Sequence, residues 1–293
     1  MEHQLWKEIV SVLGEVDKRR RRSVETFSDE QIVKTWFWAV IHDRPVSWAC
    51  DRRHWPLHER RHQRPSRSTM SRRLRTPSVC GLLEQIERRV LWPTSGASLL
   101  WMVDGKPLTI SGCSKDRQAG YGRAAGGKAK GYKLHAMVGM DGSIAAWRVA
   151  PMNKDERVMA GRMLREAEVR GYVLADGNYD SNRLHEVCVG RGNLQLVTPR
   201  RYGPEAGQGH RRQSAGRLRS IALLENPQPE FGQQLMRQRD AIDRYFGRLT
   251  NWGGGLTHLP PWVRTHRRVH QWVQAKLILT SLRQRIQVRT YAA

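Results

Sequence analysis

The sequence predicts an α/β domain built on a mixed sheet flanked by helices and preceded by an all-helical N-terminal domain. Three observations carry this. Residues 4–91 show helical spacing of apolar side chains. From Leu99 onward, short apolar runs closed by Asp-Gly alternate with helical stretches, the pattern of an α/β sheet. Tyr132–Met140 and Ser143–Val149 read as two strands joined at Asp141-Gly142, the strongest turn signal in the chain.

The helical part begins with Leu5, Ile9, Leu13 and Val16 on one face of a helix over residues 4–17. Lys18–Arg22 interrupts it as a basic run. Ser28 and Gln31 form a capping box, because each side chain can satisfy an amide next to the other. The helix it opens carries Ile32, Val33, Trp36, Phe37 and Val40, and Asp43-Arg44-Pro45 stops it. A short helix starts at Ser47. The stretch from Arg60 to Arg75 is the most basic in the chain. Within it Pro65–Leu74 offers a helix start followed by small polar residues and arginines, which suits the second helix of a helix-turn-helix, with Arg67, Arg72 and Arg73 as DNA contacts. Cys50, His54, His58 and His62 recur every four residues, but Pro56 breaks any common helical face. Residues 79–91 read as a helix. Pro93–Gly96 then marks the boundary between a helical domain, residues 1–92, and a second domain over 98–285.

The second domain opens with Leu99–Val103, five apolar residues running into Asp104 and then Gly105, where a strand is expected to end. A second short strand is expected around Leu108–Ile110, then a Gly- and Lys/Arg-rich loop over 112–131. After the hairpin come a helix over 154–170, a strand at Tyr172–Ala175 closed by Asp176-Gly177, a Ser-capped helix over 181–189 and a strand at Leu194–Val197. Residues 200–232 show no clear periodicity and read as an irregular basic loop. One helix is expected over Gln233–Leu249 and a last one over Val269–Ile286.

Composition narrows the function. The 293 residues carry 51 Lys plus Arg against 27 Asp plus Glu, a formal charge of +24. That balance fits a protein that neutralises nucleic-acid phosphates. The four cysteines are scattered without a C-x-x-C pair, which points to reduced thiols rather than a disulfide framework or zinc knuckle. No leader and no apolar stretch of spanning length is seen, so the expectation is a cytoplasmic, nucleoid-associated protein with no membrane partner.

The chemistry is carried by Asp104 and Asp176. Each closes a short apolar strand, and a buried ionised carboxylate is costly unless paired or bound to metal. A mixed sheet with helical crossovers brings the two strand ends side by side, where the acids repel unless a divalent cation lies between them. Asp240 and Asp243, three residues apart on one helix side, are candidates for a third acid.

Five stretches then share one likeness. Met102–Gly105, Gly131–His135, Pro151–Asp155, Ala175–Ser181 and Arg239-x-x-Ile242-Asp243-Arg244-x-Phe246 together resemble the DDE transposases of bacterial insertion sequences, over residues 98–285. The resemblance implies a ribonuclease-H-like catalytic domain in which Asp104, Asp176 and Asp243 hold two Mg²⁺ ions, with Mn²⁺ as a substitute. It also implies double-stranded DNA partners, both transposon ends and target, and a homodimer on DNA. Most members have Glu at the third position, four residues after Arg; here Asp243, one methylene shorter, follows Arg239. The Tyr and Lys that flank this motif in some relatives fall at Met236 and Thr250. The resemblance suggests DNA contact for Lys133 and His135, which alternate on one strand, and Arg239 either holds phosphate or pairs with Asp243 at i, i+4. The implied activity is cleavage at element ends and strand transfer. The alternatives are an impaired DNA-binding relative acting as a repressor, and a nuclease without strand transfer.

Overall fold

The computed structural model describes residues 2–17, 26–92, 98–201, 213–225, 229–251, 255–256 and 258–292. The Lys18–Arg22 run and the Pro93–Gly96 boundary lie outside them. The chain divides into two units. One holds residues 1–92 together with 251–256 and 271–293, and the other holds 93–250 and 257–270.

In the first unit, helices α1 (Glu2–Asp17), α2 (Asp29–Ile41) and α5 (Pro77–Leu91) bury Leu5, Ile9, Ile32, Val33, Phe37, Leu82 and Ile86. The capping box forms as expected, with Ser28 and Gln31 bonding across the start of α2. Between α2 and α5 lie the one-turn α3 (Val46–Ala49), two 3₁₀ turns on either side of Pro56, and α4 (Arg67–Arg73), capped by Ser66. Trp38 stacks on Trp55 at 4.8 Å in this region. The final helix α11 (His266–Ala292) departs from the linear division of the chain, because its residues from Gln271 onward pack in this unit. There Trp272, Val273 and Leu277 are buried, Gln271 donates to the Leu74 carbonyl at 2.7 Å, and Lys276 pairs with Asp43 at 2.7 Å.

The second unit is a six-stranded mixed sheet. Its strands are β1 (Leu100–Thr109), β2 (Gly120–Ala124), β3 (Gly127–Gly139), β4 (Ile144–Pro151), β5 (Gly171–Leu174) and β6 (Leu194–Val197). The order is β2-β3-β1-β5-β6, with β4 also paired to β3. Because β1 and β4 are each antiparallel to β3, and β5 and β6 run parallel to β1, the carboxyl ends of β1, β4, β5 and β6 share one edge. Helices α6 (Glu156–Glu166) and α7 (Asn182–Arg191) start from that edge. They cover one sheet face, burying Trp101, Val103, Val173, Met163 and Leu184.

Four expectations from the sequence are corrected here. The first strand does not end at Gly105, and the short strand at 108–110 is its continuation, paired with β3 from Trp101 to Thr109. Pro107 is tolerated because β5 pairs with β1 only through Leu100–Met102, so the missing N–H removes no bond on that side. The 112–131 loop contains β2 and the start of β3, a hairpin turning at Gly127 with φ of 106°. Residues 215–225 of the supposed irregular segment form helix α8 (Ala215–Glu225). The single helix expected over 233–249 is two, α9 (Glu230–Arg237) and α10 (Asp240–Asn251), separated by a turn at Gln238-Arg239.

Candidate active site

Strand register places the two leading acids. Met102 and Leu174 form the last pair of the parallel ladder, so Asp104 and Asp176 each follow two residues past its end, at matching offsets on neighbouring strands. Within the ladder, parallel neighbours lie about 4.8 Å apart. Since Trp101, Val103, Val173 and Ala175 face the α6–α7 core, the alternation of side chains turns both acids the other way. Asp104 is half-buried and accepts a hydrogen bond from the Gly105 amide at 2.7 Å. Asp176 begins a 3₁₀ turn, accepting from the Asn178 amide at 2.9 Å.

Electrostatics bear out the crowding. Burial pushes the Asp104 carboxyl up to about 6, with the negative charges of Asp176 and Glu156 adding to the rise and the Gly105 amide and Arg239 opposing it. Arg239 lies 3.6 Å from Asp104. Tyr179 is buried beside the same acids, and its hydroxyl has no hydrogen-bond partner among the described residues.

Glu156 is an acid near Asp104 that sequence reasoning missed. It occupies the first position of α6 and pairs with Lys133 on β3. An acid at a helix start reads from sequence as a partner of the helix dipole, and Asp155 before it already reads as the cap. Only the shared strand edge reveals that it stands among the acids.

Gly105 is required by this arrangement. A Cβ there would meet the Lys133 Cδ at 2.8 Å and the His135 Nδ1 at 3.3 Å, so the Lys133 side chain crosses directly over it on its way to Glu156.

The structure also places the other sequence candidates. Arg239 sits in the turn before α10 rather than within a helix, so the i, i+4 pairing with Asp243 is replaced by its approach to Asp104. Asp243 is exposed on the first turn of α10. The two ends of that segment are tied to one face of β1, by Arg239 to Asp104 and by Thr250, which accepts from Lys106 at 2.6 Å. Among the described residues, no three His, Cys, Asp or Glu side chains stand close enough together to hold an ion.

Two expected DNA contacts are corrected. His135 is 1 % exposed, its ring nitrogens have no hydrogen-bond partner among the described residues, and burial holds its pKa down to about 3. It is a neutral packing residue beside Gly105. Arg73 is 4 % exposed and spends its guanidinium on Asp29 at 2.7 Å and the Phe27 carbonyl at 2.9 Å. Arg67 and Arg72, by contrast, are exposed on α4.

The family model of the transposase DDE domain matches residues 98–285, more than half of the chain. The chain belongs to this transposase family. Its mixed sheet flanked by helices is consistent with a ribonuclease-H-like catalytic domain, and membership implies a DNA substrate and a divalent metal cofactor for the family. Neither the comparison with curated proteins nor that with solved structures gave a match.

The donor set fits a hard divalent cation in part. Asp104 and Asp176 offer carboxylate oxygens at matching offsets past the ends of adjacent strands, and the burial that raises Asp104, with a smaller contribution from Asp176, is a penalty that such a cation relieves.

Proposed function

We propose that this chain cleaves DNA at the ends of an insertion sequence and joins the freed 3′-hydroxyl to target DNA, with Asp104, Asp176 and Asp243 as its catalytic acids. The observation that carries the reading is the register that sets Asp104 and Asp176 at matching offsets past one parallel ladder inside a transposase DDE domain.

Asp104 and Asp176 would hold Mg²⁺, or Mn²⁺ in its place, on one sheet face. Bound there, Mg²⁺ supplies activation of a water or 3′-hydroxyl and charge stabilisation of the leaving oxygen, which is phosphodiester chemistry. Asp243 completes the set from the first turn of α10, a segment tied at both ends to the β1 face that carries Asp104. Arg239 counters the charge of the acids and offers two donors to a phosphate oxygen. Lys133, which pairs with Glu156 at the edge of the site, is the strand residue assigned here to the DNA backbone. In the first unit, Arg67 and Arg72 of α4 are exposed for DNA contact, and two chains bind a pair of ends as a homodimer.

The test is a strand-transfer assay with pre-cleaved and intact end duplexes, with Mg²⁺ and with chelator. Joined product that requires Mg²⁺ supports the proposal. Cleavage without joining makes the protein a nuclease. A DNA-binding relative that does not cut is favoured by one observation, the exposure of Asp243 away from any three-acid cage among the described residues, and binding with no product under either condition establishes it.

A further inference from the structure

Helices α6 and α7 lie side by side on the sheet face opposite the two aspartates, and a cleft of about 390 Å³ opens between them. Its lining includes four arginines: Arg157, Arg162 and Arg165 from α6 and Arg183 from α7. The lining holds one acid, Asp155, against them, so the cleft is net positive and attracts anions.

The four are not equivalent. Arg157 is neutralised by Asp155 at 2.6 Å, and Arg165 donates to the Gly161 carbonyl at 3.2 Å. Arg162 and Arg183 are exposed and make no ion pair or hydrogen bond among the described residues. One guanidinium therefore stands free on each wall. Ser181, which caps α7, lies at the mouth. Both helices start from the strand edge that carries the acids, so both turn their positive dipole ends toward it. Asp155 of the lining precedes Glu156 directly, and Ser181 follows Asp176 by five residues.

We propose that this cleft is a subsite for a DNA backbone phosphate, gripped between Arg162 and Arg183, which holds the duplex against the catalytic domain away from the scissile bond. Guanidinium forks match phosphate oxygens in pairs, and two of them on opposite walls take phosphate without reading bases. The inference rests on the transposase reading for the identity of the polyanion. End and target duplexes both present this group, and the experiment separates them.

The experiment titrates the full-length protein with a labelled end duplex and with a duplex of unrelated sequence across a salt series. It compares wild type, Arg162→Ala/Arg183→Ala and Arg162→Lys/Arg183→Lys, with thermal unfolding as a check on folding. Loss of the one phosphate that the two arginines share flattens the slope of log affinity against log salt by about 0.9. Between about 50 and about 200 mM salt, wild type then loses about three- to fourfold more affinity than the alanine variant. The lysine variant retains the wild-type slope. A change on both duplexes assigns the cleft to backbone of either kind, and a change on one assigns it to that DNA alone. An unchanged slope and affinity on both duplexes overturns the inference while leaving cleavage by wild type, and so the transposase reading, intact. Wild type that binds neither duplex overturns both.

Discussion

Replacing Asp104 by Asn should make the protein more stable and inactive at once. The carboxyl is raised from the ordinary 3.8 to about 6 by burial and by its acidic neighbours. Its side chain is 21 % exposed, so solvent screening removes only part of the effect. At about 1.36 kcal/mol per pH unit, ionised Asp104 costs the folded state at most about 3 kcal/mol. The sign comes from proton linkage. Between pH 3.8 and about 6 the folded chain binds more protons at this site than the unfolded chain, so its stability falls as pH rises through that window. The penalty is absent below the window and complete above it. Asn keeps an oxygen for the Gly105 amide and carries no charge, so the variant should gain up to about 3 kcal/mol above pH 6 and little near pH 4. The assay is denaturant unfolding of both proteins over this pH range with chelator present. Equal stability at every pH, or a variant that is weaker at neutral pH, refutes the claim that burial and acidic neighbours raise Asp104. Saturating Mg²⁺ should then stabilise wild type and leave the Asn variant unmoved, because a ligand raises stability only where it binds the folded state.

Asp243→Glu should keep or raise cleavage, since the longer acid extends this side chain toward the site; complete loss in a cleavage assay means the site has adapted to the shorter side chain. Arg73→Met should destabilise the chain by about 1 to 3 kcal/mol, as it removes the ion pair with Asp29 and the bond to the Phe27 carbonyl while Asp29 keeps Ser78. Urea unfolding checks this, and a loss under about 1 kcal/mol makes Arg73 dispensable to the fold.

How much of this was legible in the sequence depends on whether the cause was local. The Ser28–Gln31 box, the Ser181 cap and the Asp141-Gly142 turn each act within a few residues, and all three form as read. The pairing of Asp104 with Asp176 was legible because two strand-closing acids in one sheet have few places to go. Gly105 and Pro107 misled, because both normally end strands, yet β3 pairs alongside and the open edge beyond Met102 excuses the proline. The break between α9 and α10 has no Gly or Pro to announce it; its visible correlate is the reach of Arg239 to Asp104. Glu156 was hidden for a similar reason, as its neighbours among the acids come from β1 and β5, 52 and 20 residues away in sequence. The return of residues 271–293 to the first unit is likewise a long-range closure, sealed by Lys276 on Asp43 and Trp272 beside Trp36.

The proposed chemistry requires Asp104 and Asp176, which follow one parallel ladder, to share a divalent cation at the DNA. Cleavage of a labelled end duplex by Asp176→Asn, measured beside its affinity for the same duplex, addresses this most directly. The account predicts undiminished binding with no Mg²⁺-dependent nicking. Nicking at the wild-type rate by that variant contradicts it.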